Sequence, residues 1–299
     1  AGSDVQLVAR GEHLRVIRKQ GLRLETPDND STVQVPAADT VADLDLGDDT
    51  AVLVAVKGQQ TQSVVDDLLR HAPPGITVVS VQNGVANERN LLRTFEHVLG
   101  VCVMLPSTHL APGTVIQNSA PVPGMLDVGC FPGGTDERCE GFAEAVRAAG
   151  FDSVVRPDVM AWKHRKLLAN LGNAVQATCA PGDDSTRLAG LARDEGARVL
   201  AAAGIDVVTA AADTERRGDL LSLGSIGGRG GGSTWQSLAR GTGSVESDYL
   251  NGEISLLGRL HGLPTPVNDL LRRTAQQQAA LRAEPGSLSA ADLLASLEA

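Results

Sequence analysis

The sequence predicts an α/β first half followed by an all-helical second half. Three observations carry that prediction. Apolar runs of strand type alternate with segments of helical period from Val5 onwards. Two of those runs, Thr50–Val56 and Ile76–Gln82, are nearly continuous, as strands buried on both faces are. After Pro157 strand signals almost vanish. A domain boundary near residue 156 follows, giving domains of 1–156 and 157–299.

In order, VQLVA (Val5–Ala9) reads as a strand and HLRVIRKQ (His13–Gln20) as an amphipathic segment. TAVLVAV (Thr50–Val56) is a buried strand. The following QQTQSVVDDLLRHA is helical, with Val64, Val65, Leu68 and Leu69 on one side. ITVVSVQ is the next buried strand and ends in Asn83-Gly84; NERNLLRTFE is helical again. Such alternation argues for a sheet of parallel order. From Val101 to about Val155 the strands shorten: GVCVMLPSTHL, GTVIQNS, GMLDVGCF and FDSVV, with one helix in DERCEGFAEAVRAAG. The texture predicts an antiparallel or mixed edge. Beyond it, helices are predicted in Asp158–Ala180, Arg187–Gly204, Glu246–Gly262 and Val267–Ala283.

The totals narrow the function classes. Aromatics are 2% of the 299 residues, so the core must rest on Leu, Val and Ala, and base-stacking modules are disfavoured. A formal charge of −10 disfavours phosphate-backbone binding, so no nucleic-acid partner is expected. The four cysteines show no CxxC and the six histidines no ligand pair, so no metal site or secreted disulfide framework is read. No apolar run approaches the roughly 18 residues of a membrane span. A reducing cytoplasm is the simplest location.

Three stretches are candidates for chemistry. In KLLANLGNA, Lys166, Asn170 and Asn173 stand at i, i+4 and i+7, one stripe of a helix whose other faces are mostly apolar. The stripe reads either as a solvated face or as a ligand-facing one. A solvated face would carry several charges, and Asn is a poor helix former. In STWQSLARGTGSVESDYLNGE, Ser233 and Thr234 stand at a helix start, and Glu246 follows Thr234 by twelve residues. Taken alone, the hydroxyls read as a helix cap and Glu246 as a first-turn carboxylate. In AVLVAVKGQQT and VVSVQNG, Lys57 and Asn83 close buried strands, where open α/β sheets bind ligands. Arg10 closes VQLVA in the same way; a basic residue there suits the 2′-phosphate of NADP rather than the ribose of NAD. GGRGGGS (Gly227–Ser233) has no phosphate-loop register and reads as a hinge or cap loop.

Taken in order, these motifs resemble those of the ketopantoate reductase (2-dehydropantoate 2-reductase) family. VQLVARGEHLRVIRKQGLRL is similar to its second strand and following segment, AVLVAVKGQQT to its lysine strand, and VVSVQNGV to its Asn-Gly turn. KLLAN matches its lysine-x3-asparagine helix, and ST…E.DYLNG its Ser-Ser…Glu-x-Asp-x-x-Asn-Gly pattern. HGLPTPVNDLL is like the start of its closing helix.

The resemblance implies a Rossmann-type dinucleotide-binding domain followed by an all-helical C-terminal domain, with the active site in the cleft between. It implies NADPH-dependent reduction of a small 2-oxo acid, 2-dehydropantoate, to (R)-pantoate on the way to pantothenate and coenzyme A. Lys166 matches the catalytic general acid, and Glu246 the carboxylate that holds the lysine and the substrate hydroxyl and lies beside the cofactor. Asn83 and Asn170 match amides that position substrate and cofactor. Asn173 and Thr234 fall on the substrate side, and Arg10 and Lys57 on the NADP side. Two positions depart from the pattern. The family's second helix asparagine lies eight residues after the lysine, where this chain has Ala174, with Asn173 one earlier; and Thr234 stands where the family has serine. Both touch the substrate, so a reductase of another branched 2-oxo acid is the nearest rival reading. The family also implies a first strand and a glycine-rich turn before Val5; neither stands in these residues, so weak NADPH binding, an absent central strand, or a non-catalytic binding protein is the further expectation. The helical domain offers a surface of the kind homodimers use.

Overall fold

The computed structural model describes residues 4–47, 49–223 and 231–298. The part of the glycine loop before residue 231, including Gly227–Gly230, lies outside them. The chain divides into two units: Ala1–Gln82 with Asn87–Met160 and Thr214–Arg229, and Asn83–Ala86 with Ala161–Asp213 and Gly230–Ala299.

The first unit contains β1 (Leu7–Val8), α1 (Gly11–Gln20), β2 (Leu22–Glu25), β3 (Asp30–Val33), β4 (Ala37–Ala38), β5 (Ala51–Val54), α2 (Thr61–His71), β6 (Thr77–Ser80), α3 (Asn87–Leu92) and β7 (His97–Met104). It continues with β8 (Ser107–Thr108), β9 (Thr114–Gln117), β10 (Ser119–Pro121), β11 (Met125–Cys130) and α4 (Glu137–Ala148). The central sheet runs β11-β7-β6-β5, with β5, β6 and β7 parallel and β11 antiparallel. Strand residues alternate between two cores, as the period of two requires. Val78 and Val98 pack with Val65 and Leu68 of α2 and with Leu91 of α3. Their neighbours Val79 and Leu99 pack with Val101, Val128 and with Phe142 and Ala143 of α4. Each of the valine, leucine and phenylalanine side chains so taken from water stabilises the fold by about 1.5–3 kcal/mol. The unit also holds a second sheet, β3-β2-β9-β8, and the parallel pair β1–β4.

Three expectations change here. The VQLVA strand shrinks to Leu7–Val8 and pairs with β4, not with the central sheet. β5 ends the central sheet, so Leu53 is 51% exposed and the strand is not buried on both faces. FDSVV makes only isolated bridges, Asp152 and Val155 to Met125 and Val128. The buried carboxylate of Asp127 holds this region. It accepts from Arg216 Nη2 at 2.6 Å and Nε at 2.9 Å, and from Arg156 Nε at 3.2 Å; Arg216 also pairs with Asp152.

The second unit is helical. It holds most of α5 (Val159–Asn170), then α6 (Asn173–Thr178), α7 (Asp183–Ala202) and the first half of α8 (Ala210–Arg217). The chain returns to the first unit for β12 (Leu221–Leu223), antiparallel to β10, and then forms α9 (Ser233–Ala239), α10 (Asn251–Leu260), α11 (Pro266–Ala280) and α12 (Ala290–Glu298). Leu167, Leu171, Leu188, Leu200, Ile254 and Leu271 are fully buried in it. α7 approaches the end of α5 closely at Gly196, where a Cβ would stand 2.6 Å from Leu171 Cδ1 and 3.0 Å from Leu168 Cδ2. Among the described residues no helix is long and apolar enough to cross a membrane.

Candidate active site

The long helix expected over Asp158–Ala180 breaks after Asn170. α5 ends there and α6 starts at Asn173, with Gly172 as its N-cap. Lys166 and Asn170 therefore share one helix, and Asn173 opens the next. Asn and Gly are both poor helix formers, so the break falls where propensity is weakest. A side chain holds it: Asn251 Nδ2 donates to the Leu171 carbonyl at 3.0 Å.

Asn251 belongs to a buried polar chain. Its amide also donates to Asn268 Oδ1 at 2.9 Å. Asn268 Nδ2 donates to Glu195 Oε1 at 2.8 Å and to the Ala192 carbonyl at 3.1 Å. Glu195 further accepts the backbone N–H groups of Val267 and Asn268, at 3.2 and 2.8 Å. A carboxylate at the first turn of α11 satisfies donors that a helix start leaves without partners and faces the positive end of its dipole. All three side chains are buried. The chain thus runs from α7 through α11 and α10 to the residue next to Asn170. Sequence reading passed over Glu195, and touched Asn268 only as part of the HGLPTPVNDLL stretch. The DYLNG motif was its only trace of Asn251.

Asn83 joins this unit although it follows β6 in sequence. Asn170 Nδ2 donates to Asn83 Oδ1 at 3.1 Å. The turn is left-handed at Gly84 (φ 80°), where a Cβ would lie 2.9 Å from the Tyr249 carbonyl oxygen. Only glycine meets both demands. Tyr249 lies three residues after Glu246, so the Asn-Gly turn, the lysine–asparagine helix and the Glu-x-Asp segment converge. Glu246 and Lys166 are both half-buried. Glu246 precedes a short 3-10 turn, Ser247–Tyr249, and its side chain does not cap it.

Thr234 is 4% exposed, the second residue of α9. The cap reading of Ser233 and Thr234 fails: Gly232 is the N-cap. Gly232 N donates to Gln176 Oε1 at 2.8 Å, which ties the start of α9 to α6. A Cβ on Gly232 would stand 3.8 Å from Asn173 Oδ1, so Asn173 faces this junction rather than extending the α5 stripe.

Within the first unit, Lys57 lies just beyond β5, and its backbone N–H bonds Gln60 Oε1 at 3.3 Å. Next to it is a buried hydroxyl–amide chain that sequence reading missed. Gln82 Nε2 donates to the Val56 carbonyl at 2.8 Å and to Thr61 Oγ1 at 2.9 Å, and Thr61 Oγ1 donates to Asn87 Oδ1 at 3.0 Å. It braces the carboxyl ends of β5 and β6, the end where such sheets bind ligands. Arg10 is exposed and precedes α1 in extended conformation. A cavity of about 410 Å³ against α1, lined by Gly11, Leu14, Arg15, Arg18 and Lys19, contains none of the expected site residues.

The sequence matches two family descriptions in register with these units: ketopantoate reductase PanE/ApbA over residues 1–133, and ketopantoate reductase PanE/ApbA C terminal over 158–279. A 2-dehydropantoate 2-reductase of Halobacterium salinarum is 30% identical over 292 residues, covering 89% of each chain. The chain belongs to the ketopantoate reductase family. Another relative, the 2-dehydropantoate 2-reductase of Pyrococcus horikoshii, is 26% identical and covers 90% of this chain and 88% of its own. A PanE/ApbA family ketopantoate reductase from Ralstonia eutropha superposes with a TM-score of 0.76 at 27% identity, over 94% of this chain and 92% of that one. D-mandelate dehydrogenase with NADH and anilino(oxo)acetate shares the fold, at a TM-score of 0.75 and 17% identity over 94% and 92% of the two chains. This ketopantoate reductase family member is thus an oxidoreductase with a Rossmann-type domain followed by a helical one.

Proposed function

We propose that the chain reduces 2-dehydropantoate to (R)-pantoate with NADPH, a step towards pantothenate and coenzyme A. The observation that carries the reading is the Asn83–Asn170 hydrogen bond beside the Gly84–Tyr249 contact, which unites three motifs far apart in sequence. When bound, NADPH supplies the hydride to the ketone carbon. Lys166 hydrogen-bonds the ketone oxygen, stabilises the charge that grows on it and delivers the proton that completes the alcohol. Glu246 accepts from the substrate hydroxyl and orients the lysine. Asn83 and Asn170 fix the plane of the substrate, and the Thr234 hydroxyl donates to its carboxylate. Asn173 borders the substrate from the start of α6. Arg10 and Lys57 are the cations for the NADPH phosphates. Their fit rests on position: Arg10 is exposed at the end of β1, and Lys57 leaves the carboxyl end of β5 on a braced loop.

Two observations favour a second substrate class, another branched 2-oxo acid: Asn173 opens α6 instead of lying on the α5 stripe, and Thr234 brings a buried methyl. Comparing kcat/KM for ketopantoate with that for a panel of 2-oxo acids separates the two. A clear preference for ketopantoate is expected; equal rates across the panel would sink the specific substrate. Lys166→Ala should lower kcat by about 10²–10⁴-fold with NADPH affinity little changed. An unaltered kcat removes Lys166 from the chemistry, and NADPH binding with no turnover of any 2-oxo acid by the unaltered chain would make it a binding protein.

A further inference from the structure

Outside the candidate site, the first unit holds two thiols in contact. Cys130 ends β11, and Cys139 lies in the first turn of α4. Their sulfurs are 3.5 Å apart, and an Asp136 carboxylate oxygen lies within 4.8 Å of both. We propose that Cys130 and Cys139 form a redox modification site, a dithiol that a small-molecule disulfide converts to an intramolecular cystine fastening α4 to β11.

The joining segment is held in place. Cys130 N donates to the Gly134 carbonyl at 3.0 Å, Phe131 N to Val98 at 2.9 Å, and Gly134 N to Pro157 at 2.8 Å. Asp136 caps α4 through the N–H groups of Arg138 and Cys139, at 3.0 and 3.2 Å. Both sulfurs therefore start from fixed backbones, and side-chain rotation alone has to bring them to bonding distance, about 2.05 Å. Cys139 is fully buried beside Leu99, Val101 and Phe142, whereas Cys130 is half-buried. An oxidant thus meets Cys130 first.

The same geometry argues against a metal ion. Oδ1 of Asp136 already accepts the two backbone N–H groups, and its other oxygen accepts Arg138 Nη1 at 2.9 Å. A cation would have to displace a guanidinium and would find, among the described residues, three protein donors, one fewer than a structural zinc site supplies.

The chemistry balances with an external disulfide such as oxidised glutathione. Cys130 loses its proton and attacks one glutathione sulfur, releasing the first glutathione thiolate. Cys139 then loses its proton and attacks Cys130 Sγ, releasing the second. The protein gives up two electrons and two protons, and one disulfide becomes two thiols. Burial, with Cys139 and Asp136 beside it, pushes the Cys130 thiol up to about 12, and burial raises Cys139 as well. Arg138, which pairs with Asp136, also faces His97, with Arg138 Nη2 3.2 Å from His97 Nε2. Thiols so reluctant to ionise react slowly at neutral pH, and they are poor leaving groups once joined. The dithiol is consequently slow to oxidise, and the cystine slow to reduce.

Trypsin tests the bond directly, because it cuts after Arg138, between the two cysteines. After incubation of the whole chain with oxidised glutathione, a non-reducing digest should retain the peptide that begins at Cys139 joined to the one that ends at Arg138. The Tm should rise by about 5 °C and fall back with dithiothreitol, since a short loop is closed in the unfolded state. Cys130→Ser and Cys139→Ser should lose both effects; Cys102→Ser and Cys179→Ser should keep them. Where a serine variant fails to fold, fragmentation of the linked peptide from the unaltered chain decides, by placing the bond at Cys130 rather than at Cys102, which the same tryptic peptide contains. Glutathione left on Cys130 with no linked peptide, a link that survives Cys130→Ser through Cys102, or zinc that protects both thiols from the oxidant would each overturn the proposal.

Discussion

The sheet unit and the helical unit each bury a strongly polar cluster and satisfy it by different means. In the sheet unit charge meets charge: Asp127, with no exposure, faces Arg216 and Arg156. In the helical unit a single carboxylate, Glu195, is met by N–H groups, and amides pass the contact on through Asn268 and Asn251 to the Leu171 carbonyl. An ion cluster tolerates small changes of angle. A chain of amides does not, because each donor has one direction. The first fastens a corner of the fold. The second aims a helix end, the one that carries Asn170.

The largest effect should come from breaking the ion cluster. Asp127→Ala leaves two guanidinium groups facing each other without their shared partner and should cost about 3–5 kcal/mol in urea denaturation, with kcat retained while the protein is folded. A loss below about 1 kcal/mol would place the cluster with ordinary surface pairs. Asn251→Ala comes next. It strips the Leu171 carbonyl and Asn268 of a donor and should cost about 1–3 kcal/mol. Unlike the first variant, it should also raise KM for the 2-oxo acid; an unchanged KM would reduce the amide chain to a purely structural one.

The smallest effect lies in the sheet unit. His13 Nδ1 accepts the Gly113 N–H at 2.9 Å, and the His109 ring is 4.7 Å away. Burial first, and His109 second, hold the His13 pKa below its ordinary 6.5. The unfolded chain therefore binds this proton more readily than the folded one. Stability is complete above pH 6.5 and declines as pH falls through that value towards the lowered folded one. Comparing the pH dependence of Tm for His13→Gln with that of the unaltered chain should show a shallower acid slope; identical slopes would discard the pair as a titrating element.

What the residues reveal before folding follows the range of each interaction. The strand–helix alternation and the 3.6-residue stripes are local, and the parallel order of β5 and β6 was readable from Thr50–Val56 and Ile76–Gln82; β7, whose GVCVML run was expected at an antiparallel or mixed edge, instead lies inside the sheet between β6 and β11. The shrinkage of VQLVA to a two-residue pairing with β4 was not, because strand length depends on a partner 30 residues away. The break after Asn170 was half visible, in Asn and Gly within an apolar helix; what holds it, Asn251, is 80 residues distant. Glu195 looked like any helix carboxylate, since the N–H groups it meets lie 72 and 73 residues on. That Lys166 and Asn170 share one helix was legible in their i, i+4 spacing, and the meeting of Asn83 with Asn170 needed the folded chain.

The close approach at Gly196 has a consequence for which residues that position accepts. One added methyl there would press on Leu168, on the helix that bears Lys166 and Asn170, and on Leu171 just past its end. A replacement there obliges both leucine tips to shift, so a position that carries no side chain of its own bears on the end of that helix.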